Sequence, residues 1–257
     1  MNLGDPANKS LSFNVSGLVR LLLRLWFIGL IIWTGCGPKE DPELVRERQI
    51  VSQGIEILRS GTAVQRDSVI RTFYNLKHPE FFQNFLNDPD PNVRIGMVSA
   101  IGYHKDKSAA AALNSLLSQV DDYLLRETII YAIGELCDTS SVPILIGFLK
   151  DTSVKREIRL SIPITLASFI KTEAAAQVEQ AFAEILTEQG DDIELCSYVA
   201  VGILESLQPR NVELFMEYLP ILHQMAEKRK EEAGEDGIWT NLELTVQELE
   251  KYESPSS

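Results

Sequence analysis

An internal repeat constrains this chain more than any other feature of its sequence. The triplet Ala100-Ile101-Gly102 returns at residues 132–134, and weaker copies follow at 165–167 and 200–202. The third positions of successive copies are 32, 33 and 35 residues apart. A fixed period in this range is typical of helical repeat proteins, whose units bury their apolar faces only against neighbouring units. The repeat therefore predicts an all-α protein with a solenoid architecture.

Each copy of the triplet belongs to a stripe of apolar or small residues with helical spacing. Counted from the first residue of each stripe, the stripe occupies offsets 0, 4, 7 and 8, which share one face of a helix. A small residue at offset 9 would let a neighbouring helix approach closely, despite the cost of about 1 kcal/mol for glycine in a helix. The predicted buried residues are Val93, Met97, Ala100, Ile101, Leu125, Ile129, Ala132, Ile133, Ile158, Ile162, Thr165, Leu166, Ile193, Ser197, Ala200 and Val201.

A short break and a second apolar segment follow each stripe. Pro79 and Pro143 stand where proline is tolerated, in the first turn of such a second helix. The apolar faces of the second helices are predicted at residues 81–86, 109–117, 144–149, 178–186 and 214–222. The sequence thus predicts about five stacked helical hairpins over residues 63–230.

Both ends of the repeat array are predicted to carry a capping helix. Asp41 can cap a helix that begins at Pro42 and follows a short tether, within residues 36–62. At the other end, residues 231–257 are predicted to form an acidic loop, a closing helix and a frayed tail. The predicted buried residues of the two caps are Leu44, Ile50, Val51, Ile55 and Leu58, and then Ile238, Trp239, Leu242, Leu244, Val246 and Leu249.

The segment at residues 88–94, together with residues 99–102, resembles the HEAT-repeat family in its short bacterial lyase-like form. The resemblance extends over about residues 63–228 and is strongest over 88–167. It implies helix pairs stacked into a curved solenoid, with a ladder of acidic and arginine side chains between repeats. The ladder residues implied by the resemblance are Asp90 with Arg94, Asp122 with Arg126, and Arg159. Alternatively, these are ordinary pairs within one helix, each worth a few tenths of a kcal/mol.

The N-terminal segment has the three parts of a secretory signal. Arg20 and Arg24 precede an apolar run at residues 25–33, and the small residues Thr34 and Gly35 come directly before Cys36. The segment resembles a bacterial lipoprotein signal, which implies that Cys36 carries a diacylglycerol group and that residues 1–35 are removed. The alternatives are an uncleaved membrane anchor, or a buried helix with a chance cysteine.

The lipoprotein resemblance also implies a location. The protein would be lipid-anchored in the bacterial cell envelope and would face the periplasm. Gly37 replaces the aspartate that holds some lipoproteins at the inner membrane, which favours the outer membrane.

The charge of the chain restricts its partners. The sequence has 37 acidic and 24 basic side chains, a net charge of −13. Residues 1–35 contain three basic side chains and one acidic one, so the remainder is two charges more negative than the whole chain. Because nucleic-acid binding needs lysine and arginine to neutralise phosphates, no nucleic-acid partner is expected. A basic or neutral protein partner is favoured.

The sequence contains no recognisable catalytic or metal-binding motif. His78, His104 and His223 do not have the spacing of metal ligands, and no nucleophile motif is found. Cys137 and Cys196 are about two repeats apart, too far for a disulfide, and are predicted to be buried free thiols. The acidic pairs at 121–122 and 191–192 are interpreted as helix caps. No catalytic residue, cofactor or small-molecule substrate is expected.

The favoured function is therefore a scaffold or binding module for a protein partner. The partner would contact a groove lined by the second helices, with Gln83, Asn84, Asn114 and Ser115 as candidate residues. One alternative is an enzyme or chromophore-handling accessory, because lyase subunits of pigment proteins share this repeat type. That alternative predicts a reactive cysteine near a polar pocket. The other alternative is a purely structural envelope lipoprotein.

Overall fold

A computed structural model describes residues 41–208, 211–233 and 239–253. The chain divides into two compact units, residues 1–46 and 47–257. Of the first unit, only residues 41–46 are described, and they contain the start of the first helix. The second unit contains the rest of the described chain.

Every regular element in the described residues is a helix. The α-helices are α1 (Pro42–Ser60), α2 (Ala63–Phe73), α3 (Pro91–His104), α4 (Ala110–Gln119), α5 (Tyr123–Leu136), α6 (Val142–Lys150), α7 (Arg156–Ala167), α8 (Ala175–Glu188), α9 (Ile193–Ser206), α10 (Val212–Met216), α11 (Leu219–Ala233) and α12 (Trp239–Glu253). The 3₁₀ helices are η1 (Pro79–Phe85), η2 (Lys107–Ala109) and η3 (Thr139–Ser141). The predicted all-α solenoid is confirmed.

The helices of the second unit form two layers. The first helices of successive hairpins, α3, α5, α7 and α9, pack side by side in chain order. The second helices form the other layer, in which α6 packs against α8 and α4 packs against η3 at the start of α6. Each hairpin therefore shares its apolar seam with the next, as expected of repeats that cannot bury a core alone.

Aspartate caps explain where the first helices begin. Asp90, Asp122 and Asp192 precede α3, α5 and α9, and each side chain accepts a hydrogen bond from a backbone N–H in the first turn. Such caps satisfy amide groups that have no partner within the helix. Two C-terminal caps, Lys105 and Cys137, adopt the left-handed conformation at φ 53° and 51° and end α3 and α5.

Two glycines at offset 9 permit the close packing of neighbouring first helices. A Cβ atom on Gly102 would lie 3.0 Å from the Cα and Cβ atoms of Ala132 in the next hairpin. A Cβ atom on Gly134 would lie 3.1 Å from Cγ2 of Thr165. Both distances are shorter than ordinary van der Waals contact, so these positions favour the absence of a side chain.

The fourth stripe differs from its prediction. Val201 is only half-buried, whereas Leu195, Cys196, Val199 and Ile203 are fully buried. Helix α9 packs against α7, α8 and α12. Because these neighbours lie on several sides, more than one face of α9 is buried. In the first three stripes the predicted residues are buried, except that Thr165 is half-buried.

The first capping helix, α1, begins and ends as predicted. Asp41 accepts a hydrogen bond of 2.9 Å from the N–H of Glu43, and the helix stops before Gly61. The face that α1 buries includes Glu47, which is only 5% exposed and which the sequence pattern did not predict. Its carboxylate accepts hydrogen bonds from the N–H groups of Lys77 and His78, at 2.9 and 3.0 Å. Val51, Ile55 and Leu58 are buried as predicted, whereas Leu44 and Ile50 are half-buried.

Two further elements correct the sequence prediction. Residues 79–85, predicted as an ordinary second helix, form the 3₁₀ helix η1 around the buried Phe82. In α12, Leu242, Val246 and Leu249 are buried but Leu244 is exposed, because it lies off the i, i+4, i+7 stripe of the other three. The acidic loop with Ile238, the side chain of Trp239 and the tail from residue 254 lie outside the described residues.

Candidate interaction surface

The solvent side of the first-helix layer carries large exposed apolar side chains on three consecutive hairpins. Tyr103 on α3 is 57% exposed, Tyr131 on α5 is 65% exposed, and Ile164 on α7 is 49% exposed. Tyr131 and Ile164 occupy the same offset, six residues after the start of their stripes, and Tyr103 stands one turn further along α3. Leu124, exposed near the start of α5, lies on the same side of its helix. These four residues and Tyr74 are called the tyrosine face.

Two tyrosines stack on each other at one end of this surface. The rings of Tyr74 and Tyr103 stack with centroids 4.0 Å apart and planes 7° from parallel. Burial raises the pKa of Tyr74, and the nearby Asp67, Tyr131 and Tyr103 raise it further. Tyr131 stands on α5, which packs directly against α3. Clustered exposed tyrosines are more typical of binding surfaces than of a solvated helix face.

Acidic side chains accompany the tyrosine face. Glu127 on α5 and Glu157 on α7 both contribute to the raised pKa of Tyr123, after a larger effect of desolvation. Neither glutamate forms an ion pair within the described residues. At the far end of α5, Glu135 pairs with Lys105 at 3.3 Å. Glu127 precedes Tyr131 by one helical turn on α5, so a carboxylate stands on the same side of the helix as this tyrosine.

The residues predicted to line a groove on the second helices are placed differently. Gln83 donates to Asp106 and Ser108, at 2.9 and 2.7 Å, so its amide ties η1 to the start of η2. Asn114 has a buried side-chain oxygen without a hydrogen-bond partner. Ser115 accepts a hydrogen bond from Gln119 one turn later. The exposed Tyr103 and Tyr131 lie on the first-helix layer, which the sequence did not predict.

Asn84, the remaining predicted groove residue, lines a cleft of about 530 Å³ between α1 and η1. Phe81 and Phe85 form part of its wall, and the guanidinium of Arg48 lies 5.4 Å from the centre of the Phe81 ring. Arg59 at the rim pairs with Glu56 and with Asp88 at 2.9 and 2.7 Å. Its positive charge is therefore already compensated.

The structure does not contain the expected pairs of Asp90 with Arg94 and of Asp122 with Arg126 among its described ion pairs. Asp90 and Asp122 serve as helix caps rather than as partners of Arg94 and Arg126. Arg126 instead donates to the carbonyl of Val120 at the end of α4, and it lies 3.5 Å from the fully exposed Asp121. The Nε atom of Arg94 is buried without a hydrogen-bond partner.

Arg159 has the same kind of role as Arg126. Its side chain is 6% exposed, and its Nε donates to the carbonyl of Leu149 at 2.9 Å, near the end of α6. Its guanidinium also donates to Gln189. Because carbonyls at a helix end lack intrahelical partners, these arginines hold each second helix to the next first helix.

Ion pairs between repeats do exist, at positions that the sequence did not predict. Arg156 at the start of α7 pairs with Asp192 at 2.6 Å and with Glu194, both at the start of α9. Lys150 at the end of α6 pairs with Glu184 on α8. Partners more than 30 residues apart carry no local signal, and only the spacing of the repeats could have suggested them.

The pKa shifts around these pairs follow from their geometry. Burial opposes ionisation of Asp192, but hydrogen bonds from Arg156 and from the N–H of Leu195 hold its pKa below the ordinary value. The ammonium of Lys150 likewise lowers the pKa of Glu184. Both carboxylates therefore stabilise the fold when they are ionised.

The two described cysteines are free. Cys196 is buried, and burial raises the pKa of its thiol to about 12. Cys137 was predicted to be buried but is half-buried, because it is the C-terminal cap of α5. Its sulfur lies 3.2 Å from the carbonyl oxygen of Ser168. A thiol with a raised pKa is a poor nucleophile because little thiolate forms.

The histidines lie apart from one another along the fold. His104 at the end of α3 bonds the carbonyl of Phe73 at 3.0 Å, and His78 and His223 lie beside Glu80 and Glu250. In the described part of the chain, no group of three or more histidine, cysteine or acidic residues is arranged to hold a metal ion.

The signal segment and Cys36 lie outside the described residues. Among the helices that are described, none has the length and apolar character to cross a bilayer.

Comparison with known proteins supports the repeat assignment. The sequence profile of the HEAT repeats family matches residues 79–167, which include η1 and the helices from α3 to α7. Curated proteins give no match. A crystal structure of an engineered protein from the Northeast Structural Genomics Consortium is similar to this chain, with 12% sequence identity and a TM-score of 0.47. That similarity covers 78% of this chain and 96% of the engineered one.

Proposed function

We propose that this protein is a scaffold that binds a protein partner through the tyrosine face and is held at the bacterial cell envelope by a lipid on Cys36. The helical repeats supply the scaffold, since HEAT repeats generally serve as protein-interaction modules. The observation that carries the proposal is the exposure of Tyr103, Tyr131 and Ile164 on consecutive first helices.

The physical argument for binding is the unfavourable exposure of these apolar side chains to water. Large apolar side chains exposed side by side gain from being covered, at about 25 cal/mol for each Å² removed from water. Tyrosine also loses little conformational entropy on binding and keeps a hydroxyl for hydrogen bonds. Of the predicted groove residues on the second-helix layer, Gln83 is already used internally, and Asn114 and Ser115 are small polar side chains.

The proposed anchor rests on the sequence. Arg20, Arg24, the apolar run and Thr34-Gly35-Cys36 stand in the order of a lipoprotein signal. Because the chain has a net charge of −13, its surface would be repelled by anionic lipid, and attached acyl chains would have to supply the membrane affinity. The proposed location is the periplasmic side of the envelope, with the outer membrane favoured by Gly37.

We also propose that the protein is not an enzyme. The alternative of a lyase-like or chromophore-handling accessory needs a reactive thiol beside a polar pocket. Cys196 is buried with a raised pKa, and neither it nor Cys137 lines the cleft between α1 and η1. These observations favour the scaffold over that alternative.

The binding proposal is tested by photo-crosslinking in living cells of the native host. A photoreactive phenylalanine analogue replaces Tyr131 in one strain and Tyr252, an exposed tyrosine on α12, in the control strain. We expect a discrete covalent adduct with one protein from position 131 but not from position 252. The same adducts from both positions, or none from 131, would contradict the proposal.

The anchor is tested separately by a Cys36→Ser variant. Cells are fed an alkyne-bearing fatty acid, and the protein is isolated and examined for the label. We expect label and membrane fractionation in the parent chain and neither in the variant. Label that persists after the substitution would refute lipidation at Cys36.

A further inference from the structure

We propose that the cleft between α1 and η1 binds an amphiphile that has an anionic headgroup and an unbranched hydrocarbon chain, as a fatty acid or an anionic phospholipid does. The headgroup lies at Arg48 and the chain lies along the apolar floor of the cleft. This site shares no residue with the tyrosine face and does not depend on the anchor at Cys36.

One face of α1 forms a wall of the cleft over three helical turns. The lining residues of α1 have the spacing i, i+3, i+4, i+7, i+8 and i+11, which keeps them on one side of the helix. They are Arg48, Val51, Ser52, Ile55, Glu56 and Arg59. At a rise of about 1.5 Å per residue, the first and last of them stand roughly 16 Å apart along the helix axis. The cleft is therefore elongated along α1, which suits an unbranched chain.

The floor of the cleft is apolar. Val51 and Ile55 are buried, and the half-buried Phe81 and Phe85 line the cleft from η1. The volume of about 530 Å³ lies within the range of roughly 300–1,000 Å³ that is typical of clefts that bind small molecules. Each methylene group that moves from water onto this floor strengthens binding, because apolar surface is removed from water on both sides.

The charged groups of the cleft favour an anion over a cation. Its lining includes two guanidiniums, and its one carboxylate, Glu56, pairs with Arg59 at 2.9 Å. Arg59 also pairs with Asp88, so its charge is offset from two sides. The guanidinium of Arg48 lies 5.4 Å from the centre of the Phe81 ring, at the edge of the apolar floor. A carboxylate or phosphate at Arg48 can accept charge-assisted hydrogen bonds while its chain covers the floor.

The distribution of charge along the chain favours an anion at the same place. Residues 47–78, which contain α2 and most of α1, have five basic and three acidic side chains. Residues 79–257 have 14 basic and 30 acidic side chains. An anion is therefore repelled by most of the array and is attracted to the segment that supplies the α1 wall of the cleft.

The test is isothermal titration calorimetry of the full chain with decanoate, undecanoate and dodecanoate, each kept below the concentration at which it forms micelles. We expect saturable binding, with a dissociation constant that falls about fourfold for each added methylene group. Dodecylammonium has a chain of similar length and a cationic headgroup, and it should bind at least about tenfold more weakly than dodecanoate.

Two substitutions and a matched control locate the site. Arg48→Glu should weaken dodecanoate binding by about tenfold or more, because the headgroup loses its cation and meets a carboxylate. Arg46→Glu makes the same charge change at an exposed arginine of α1 that does not line the cleft, and it should weaken binding by less than about twofold because of screening. Ser52→Trp places a large ring in the cleft and should abolish binding. Because Ser52 is exposed, this variant is expected to fold, and circular dichroism checks this.

A second experiment distinguishes the source of the ligand. The Cys36→Ser variant is sedimented with phosphatidylcholine vesicles that contain or lack phosphatidylglycerol. Binding only to the anionic vesicles, lost when Arg48→Glu is added, would identify a phospholipid of the bilayer. Binding of dodecanoate without binding of vesicles would identify a free fatty acid. Either result supports the site.

The remaining results overturn the proposal. Equal losses in Arg46→Glu and Arg48→Glu, or equal binding of dodecylammonium, would show that the headgroup is not recognised at Arg48. Binding that survives Ser52→Trp would place the amphiphile elsewhere on the chain. Absence of binding to both dodecanoate and anionic vesicles would show that the cleft takes no such ligand.

Discussion

The close contact between α3 and α5 at Gly102 predicts that one substitution has opposite effects at two helical glycines. Gly147 on α6 is exposed, and a Cβ atom added there would meet no atom within 4 Å. Gly147→Ala should therefore stabilise the fold by about 0.8–1.0 kcal/mol, the helix preference of alanine over glycine. Gly102→Ala gains the same preference, but its new methyl group lies 3.0 Å from two atoms of Ala132. Overpacking of this kind costs about 1–3 kcal/mol, so the net effect is a loss of about 0–2 kcal/mol.

The measurement is urea unfolding of the full chain and of both variants, followed by circular dichroism. At about 2–4 °C per kcal/mol for a domain of this size, the two variants should also differ in Tm by roughly 2–12 °C. A Gly102→Ala variant that is as stable as Gly147→Ala would show that the two helices have room for a methyl group. The close approach argued for the first-helix layer would then be refuted.

Three further predictions concern an ion pair between repeats, a buried carboxylate and the two thiols. Arg156→Met should destabilise the fold and flatten the pH dependence of its stability. The lowered pKa of Asp192 gives stability that is present above about pH 4 and is lost as pH falls through the folded pKa. Unfolding at a series of pH values measures this effect, and an unchanged pH dependence in the variant would contradict it. Glu47→Gln should cost about 1–3 kcal/mol, since an amide cannot accept both backbone hydrogen bonds that the buried carboxylate accepts, and denaturant titration gives the value. Alkylation of the folded chain, mapped by peptide mass spectrometry, should modify Cys137 before Cys196, and early modification of Cys196 would show that its surroundings open readily.

The tyrosine face could not be found from the repeat pattern. That pattern identifies positions where apolar residues recur, and it assigns them to the core. Tyr103 and Tyr131 are neither at the same offset nor in the predicted stripes, so no periodic signal connects them. The packing of Gly102 against Ala132 brings the two helices that carry them into close contact.

The ion pairs show a similar division between local and distant signals. Asp122 and Asp192 were predicted as caps, and the prediction is confirmed because capping involves residues only two or three positions apart. The partner of Arg156 is 36 residues away, and its identity depends on how one hairpin stacks on the next. Short-range arguments therefore located the helix starts but assigned the wrong partners to the arginines.

By itself, the sequence determined that this protein is an all-α array of stacked hairpins, where its first helices begin, and that glycine belongs where they meet. These properties follow from spacing along one chain, because a helix places every third or fourth residue on the same face. Tertiary structure decided which face is aromatic, which side chains pair between repeats, and how far α9 is buried. Those properties depend on distances between atoms that are remote in sequence, and burial on several sides cannot be read from a single stripe.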